Sequence, residues 1–173
     1  MTLLGMDPES LQGDKAIIPI LQKMGGQVVF EGDKLISRPA DPVGTTIDAA
    51  DCPDIIPVLT VAAALSEGHT EIIHAERLRL KECDRLKAMA TELNKLGAKI
   101  TERPDGLSID GVELTGGTVD CWNDHRIAMS LAVASILCRE PLTLVGTECV
   151  AKSYPEFWQD FAAAGGQYEQ CNG

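Results

Sequence analysis

A segment that repeats itself constrains this chain more than any composition does. Gln22-Lys23-Met24-Gly25-Gly26-Gln27-Val28 aligns with Asn94-Lys95-Leu96-Gly97-Ala98-Lys99-Ile100 at an offset of 72, and Asp33 and Leu35 fall on Asp105 and Leu107. Val61-Ala62-Ala63-Ala64 aligns with Leu131-Ala132-Val133-Ala134 at an offset of 70, and Thr70-Glu71-Ile72-Ile73 corresponds to Leu142-Thr143-Leu144-Val145. With one or two residues of slippage, Lys81 falls on Lys152. Self-similarity at a fixed period is the mark of repeated supersecondary units, and here helices, hairpins and loops recur in the same order.

Local patterns say what each unit contains. Leu86, Met89, Ala90, Leu93 and Leu96 recur at steps of three and four from Arg85 to a stop at Gly97, which predicts an amphipathic helix. Ile17, Ile18, Leu21 and Met24 predict another, ended by Gly25-Gly26, with Pro19 expected to kink it or delay its start. Gln27–Phe30 and Lys34–Ser37 read as a hairpin around Glu31-Gly32-Asp33, Thr46–Asp48 as a further strand, and the run from Ile55 through Leu65 as an apolar helix ended by Gly68. The class is α/β (α+β), with repeat units of approximately 1–68, 69–138 and 139–173.

Charge then singles out the helix starts. Leu78 to Arg85 holds two acids and three bases, and the periodicity predicts Lys81 and Arg85 in one first helical turn. Cations there oppose the macrodipole, each forgoing roughly 0.3–1 kcal/mol, whereas a bound anion would remove the penalty. Arg126 and Lys152 stand at two more such starts, Arg126 together with Asp124 and His125, and Asp54 precedes the Ile55 helix. If the units are related by rotation, these starts converge at one end of the domain. The alternative is a solvated charge run.

Composition narrows the ligand. A net charge of −11 argues against nucleic acid or a membrane surface as partner, yet five of fifteen Lys and Arg residues (77, 79, 81, 85, 87) lie within eleven positions. That pattern suits a small anion. The six cysteines form no C-x-x-C pair and have no histidines at zinc spacing, so neither a metal site nor a disulfide framework is indicated. No apolar run reaches the length of a membrane span and no secretory signal opens the chain, so a cytoplasmic location with reduced thiols is expected.

Five ordered segments carry a family resemblance. Arg79-x-Lys81-Glu82-x-Asp84-Arg85, Asn123-Asp124-His125-Arg126-Ile127-Ala128-Met129 and Lys152-Ser153-x-Pro155 resemble signature segments of the 3-phosphoshikimate 1-carboxyvinyltransferase (EPSP synthase) family, as do Ser10-x-Gln12-Gly13-Asp14 and Pro53-Asp54-x-x-Pro57. The resemblance runs from about Thr2 to Gly165. It implies the two-domain enolpyruvyl transferase fold, in which each domain has three βαβαββ units around a pseudo-threefold axis, helices inside and sheets outside. This sequence resembles most of the C-terminal domain, starting inside one unit, with the N-terminal domain absent. The isolated chain is therefore expected to be inactive, as a truncated or incomplete product, and to self-associate through the exposed edge left by missing strands.

What the resemblance implies for the shikimate-pathway reaction falls on particular residues. Asp54 matches the proton acceptor at the reacting hydroxyl, Glu82 the proton donor to the methylene carbon, and Lys152 a contact to phosphoenolpyruvate and a candidate acid. Arg85 and Arg126 match the pair that grips phosphoenolpyruvate, with Asp124 orienting them; Lys81 sits between phosphoenolpyruvate and shikimate 3-phosphate, which Asp54 also contacts. No cofactor is implied. Each residue has a plainer structural role to set beside this: Asp54 as a helix cap, Glu82 as a neutraliser of Arg85, His125 as a packed imidazole. Cys83 stands where serine or threonine is common, and Arg77 where some members have asparagine, so Arg77 is left out of the site. Two rival readings are a fragment of UDP-N-acetylglucosamine enolpyruvyl transferase and a non-catalytic repeat module.

Overall fold

The computed structural model describes residues 1–171. The chain runs β1 (Thr2–Leu3), α1 (Ile17–Lys23), β2 (Gln27–Glu31), β3 (Lys34–Arg38), β4 (Thr46–Asp48), α2 (Ile56–Ala64), β5 (His69–Ile73), α3 (Arg85–Lys95), β6 (Lys99–Arg103), β7 (Gly106–Asp110), β8 (Gly117–Asp120), α4 (His125–Ser135), β9 (Leu142–Val145) and α5 (Phe157–Ala163). Short 3-10 turns precede α1, α2 and α3 and follow β9.

The repeat seen in sequence is physical. Gly25 and Gly97 end α1 and α3 in the left-handed region, where a side chain would be strained, at φ 87° and 91°. In each copy the next amide bonds back to the helix: Gly26 N–H to the Leu21 carbonyl and Ala98 N–H to that of Leu93. The residue at the helix end then clamps the following strand, Gln22 Nε2 donating to the Val28 carbonyl at 2.6 Å and Asn94 Nδ2 to that of Ile100 at 2.9 Å. Pro19 lies inside the first turn of α1, which starts at Ile17. It occupies the third helical position, where no intrahelical acceptor exists for the N–H it lacks.

Three sheets surround the helices: β1-β3-β2, β4-β5-β7-β6 and β8-β9. β4 pairs parallel with β5 across α2, and β8 with β9 across α4, so the two halves share one βαβ connection. A frame of 1–68, 69–138 and 139–173 passes through the four-stranded sheet; the run β4-α2-β5-α3-β6-β7 forms one βαβαββ unit within 46–110.

The helices lie inside. α2 is buried on nearly every side, through Ile56, Leu59, Val61, Ala63 and Ala64, as an apolar helix with no polar face must be. Leu86, Met89 and Leu93 of α3 and Ile127 and Leu131 of α4 join it in one core with Met24, Ile47, Ile72 and Leu107. Strand burial alternates, outward residues facing solvent, so the sheets form the outer layer. α2, α3 and α4 pack together, and Asp54, Arg85 and Asp124, at or just before their N-terminal ends, meet.

Candidate active site

Asp124 is the innermost part of that meeting point. It caps α4, its Oδ1 accepting the N–H of Arg126 at 2.8 Å and of Ile127 at 3.4 Å. Its Oδ2 accepts Arg85 Nε at 2.8 Å, and both side chains are at most 1% exposed. Arg85 is the first residue of α3, whose own cap is Asp84, accepting from Lys87 N–H. Its remaining donors also find acids: Nη1 reaches Asp54 Oδ1 at 2.9 Å and Nη2 reaches Glu82 Oε2 at 2.7 Å. A buried guanidinium is thus fully paired, the condition under which burying a charge is tolerable.

Asp54 lies in the 3-10 turn Pro53–Ile55 before α2 and caps nothing. Its carboxylate turns outward to Lys81 Nζ at 3.1 Å, to Arg85, and to Arg126 Nη2 at 3.2 Å, while its carbonyl accepts Arg126 Nη1 at 3.0 Å. Asp14, from the turn before α1, approaches Arg126 at 3.9 Å. A cleft of about 180 Å³ opens beside Asp54 and Arg126, with Val58, Met129 and Val133 as its apolar wall.

Several expectations need correction. Lys81 does not share the first turn of α3; it leaves the 3-10 turn Glu76–Leu80 in extended conformation, because Asp84 caps the helix three residues later. The five clustered cations do not form a basic patch. Arg79 turns away to the carbonyls of Arg103 and Pro104 and to Asp84 and Glu102, pinning the β6–β7 hairpin, and Arg77 reaches the Ala50 carbonyl. Only Lys81 and Arg85 of the five meet Asp54. Asp124 binds the Arg85 side chain but only the backbone of Arg126, whose guanidinium takes Asp54 and Asp14 instead. Lys152, at the end of the 3-10 turn Thr147–Lys152, meets none of the acids; Nζ donates to Asn123 Oδ1 at 2.8 Å. His125 opens α4 half-buried.

Asp14 and Asn123 also reach the site; both lie inside segments carrying the family resemblance, and Asp14, an acid just before a helix, carries the same local signal as Asp54.

The electrostatics follow from this packing. Burial opposes ionisation of Asp124, but the Arg85 hydrogen bond and charge and two backbone N–H groups hold its carboxyl below the ordinary value. Burial likewise works against Asp54, and is outweighed by the Lys81 hydrogen bond and the charges of Arg126, Lys81 and Arg85. Both are carboxylates at neutral pH. Cys83 donates weakly to Asp124 Oδ2 at 3.6 Å, and burial with that negative neighbour pushes its thiol up to about 12. The residue that replaces the family's hydroxyl is an inert donor rather than a nucleophile.

Four acids and three cations, set by converging helix starts on a repeated α/β scaffold, define the class: a domain of the enolpyruvyl transferase fold. The family described as EPSP synthase (3-phosphoshikimate 1-carboxyvinyltransferase) matches residues 1–161, and the chain belongs to it. It is 56% identical over 164 residues to the 3-phosphoshikimate 1-carboxyvinyltransferase of Clostridium novyi, covering 94% of this chain and 38% of that protein. A Clostridium perfringens relative of the same description is 57% identical over 165 residues, covering 94% and 39%. Among solved structures, an EPSP synthase from Acinetobacter baumannii superposes with a TM-score of 0.83 at 31% identity, covering 97% of this chain and 42% of that one. The enolpyruvyl transferase NikO from Streptomyces tendae, at 23% identity and a TM-score of 0.74 over 89% of this chain and 36% of its own, shares the fold. The chain spans about two fifths of the length of these relatives.

Proposed function

We propose that this chain is a partial C-terminal domain of an EPSP synthase and supplies half of a site that moves the enolpyruvyl group of phosphoenolpyruvate to the 5-hydroxyl of shikimate 3-phosphate, releasing phosphate. The observation that carries the reading is Asp54 and Glu82 held on the same guanidinium, Arg85, with Arg126 beside them. In this reading Arg126 and the outer edge of Arg85 take the carboxylate and phosphate of phosphoenolpyruvate as planar, multidentate donors. Lys152 closes on the same substrate from the Asn123 side, and Lys81 bridges to shikimate 3-phosphate.

The acids that hold the arginines are then displaced by the incoming anion. That exchange frees Asp54 to accept the proton of the 5-hydroxyl and Glu82 to deliver one to the methylene carbon, giving a tetrahedral adduct. Reverse proton transfers expel phosphate. Losing the partners that lower its pKa makes Asp54 a stronger base when it is needed. The proton-transfer roles rest on family resemblance together with this geometry. A cytoplasmic location and self-association through a sheet edge belong to the same proposal as expectations drawn from the sequence.

Titration calorimetry with phosphoenolpyruvate tests the reading. Weak saturable binding that Arg126→Ala weakens roughly tenfold or more, the worth of one lost charged hydrogen bond or two, supports it. No binding, or equal loss of phosphoenolpyruvate and shikimate 3-phosphate affinity, contradicts it. Assayed alone with both substrates, the chain should release no phosphate above background, and turnover would overturn the half-site assignment.

A further inference from the structure

Glu92 is a buried acid that the chemistry above does not use. It lies on α3 seven residues, about two turns, beyond Arg85, and its side chain is 1% exposed. Its Oε1 accepts the indole Nε1–H of Trp122 at 2.8 Å, and its Oε2 accepts the N–H of Asp120 at 2.9 Å and Lys95 Nζ at 2.6 Å. Burial works against its charge, but Lys95, Trp122 and the Asp120 amide outweigh that and lower its pKa.

The segment it grips is strained. Trp122 and Asn123 both have positive φ, 52° and 51°, in a region that a bulky residue such as Trp122 enters at a cost of roughly 1–2 kcal/mol and asparagine at less. Such a pair persists only where surrounding contacts over-determine it. Two consecutive left-handed residues reverse the chain between the end of β8 and the α4 cap. The reversal sends Asp124 inward to Arg85 and Asn123 outward to Lys152. α3 therefore holds this segment at two points, Glu92 on Asp120 and Trp122, and Arg85 on Asp124.

We propose that Glu92 is a positioning residue for the site: through Trp122 it holds the left-handed pair 122–123, and so sets the Asp124 carboxylate that orients Arg85 and the Asn123 amide that holds Lys152. Its effect on phosphoenolpyruvate rests on the function proposed above; its effect on Arg85 does not.

The test uses the 173-residue chain labelled with ¹⁵N, in which only Trp122 and Trp158 give indole signals. Trp122→Phe assigns the Trp122 signal and removes the donor while keeping the bulk. Exchange of the Trp122 Nε1–H and Arg85 Nε–H with solvent is measured in the parent chain, in Glu92→Gln and in Trp122→Phe. Glu92→Gln should accelerate both roughly tenfold or more, as expected for loss of a hydrogen bond to a charged group, and Trp122→Phe should accelerate exchange at Arg85 Nε, more than 20 residues away in sequence. Phosphoenolpyruvate affinity should fall by roughly threefold to tenfold in both variants, less than one good hydrogen bond's worth. If Arg85 Nε–H keeps its protection in both variants, Glu92 merely stabilises α3 and the proposal is wrong. Absence of binding by the parent chain with Arg85 Nε–H deprotected in the variants would count against the proposed function alone. Should Glu92→Gln fail to fold, Trp122→Phe still decides the question.

Discussion

Asp54 and Asp124 are the same residue of the repeat, 70 positions apart, each just before an apolar helix and each on the Arg85 guanidinium. Asp124 is fully buried, caps α4 and binds the inner edge of Arg85. Asp54 is one third exposed, caps nothing, and faces three cations at the mouth of a cleft. The difference originates upstream of each aspartate. Two left-handed residues turn Asp124 inward, whereas Pro53 opens a 3-10 turn that leaves Asp54 on the rim. The repeat holds two equivalent acids, and local backbone geometry sets one to hold the site and leaves the other on the rim.

The largest effect expected from that division is on stability. Asp124→Ala strands a buried guanidinium and removes a cap, and should cost about 3–5 kcal/mol in denaturant unfolding. Asp54→Ala, at a solvated and shared position, should cost under about 1 kcal/mol. Comparable losses would dissolve the distinction. Next in size is coupling. A double-mutant cycle of Arg85→Met with Asp124→Ala should give about 2–3 kcal/mol, and one with Asp54→Ala less than about 1 kcal/mol.

How much of this was readable beforehand depends on the range of the interaction concerned. Helices, hairpins and the repeat follow from local rules, apolar spacing and glycine stops, and they are where the periodicity puts them. The convergence of the helix starts followed from the repeat. Pairing was out of reach: that Arg79 pins a hairpin while Arg85 enters the core depends on contacts between residues 23 and 39 positions apart, which no local charge pattern encodes. Charge counting points to a basic site because acids that neutralise it, Asp54, Glu102 and Asp124, come from three other segments. Glu92 carries no local signal beyond its place in a helix, since its partner Trp122 lies 30 positions away.

A smaller difference should appear with pH. Both aspartates have pKa values below the ordinary 3.8, so each contributes stability that is present above that value and lost as pH falls below it through the folded-state value. Acid titration of unfolding should show Asp124→Asn flattening this loss more than Asp54→Asn. The smallest expected effect is chemical: Cys83, its thiol pushed up to about 12 beside Asp124, should alkylate at pH 8 much more slowly than exposed Cys171.

In the proposed function the outer acids yield their arginine to an anionic substrate while the inner one does not. Following the Arg85 and Arg126 side-chain N–H signals of the ¹⁵N-labelled chain during a phosphoenolpyruvate titration tests it most directly. Saturable shifts are expected at Arg126 Nη and Arg85 Nη, with Arg85 Nε still protected by Asp124. Unchanged Nη signals at saturating ligand, or loss of the Nε protection on binding, would contradict it.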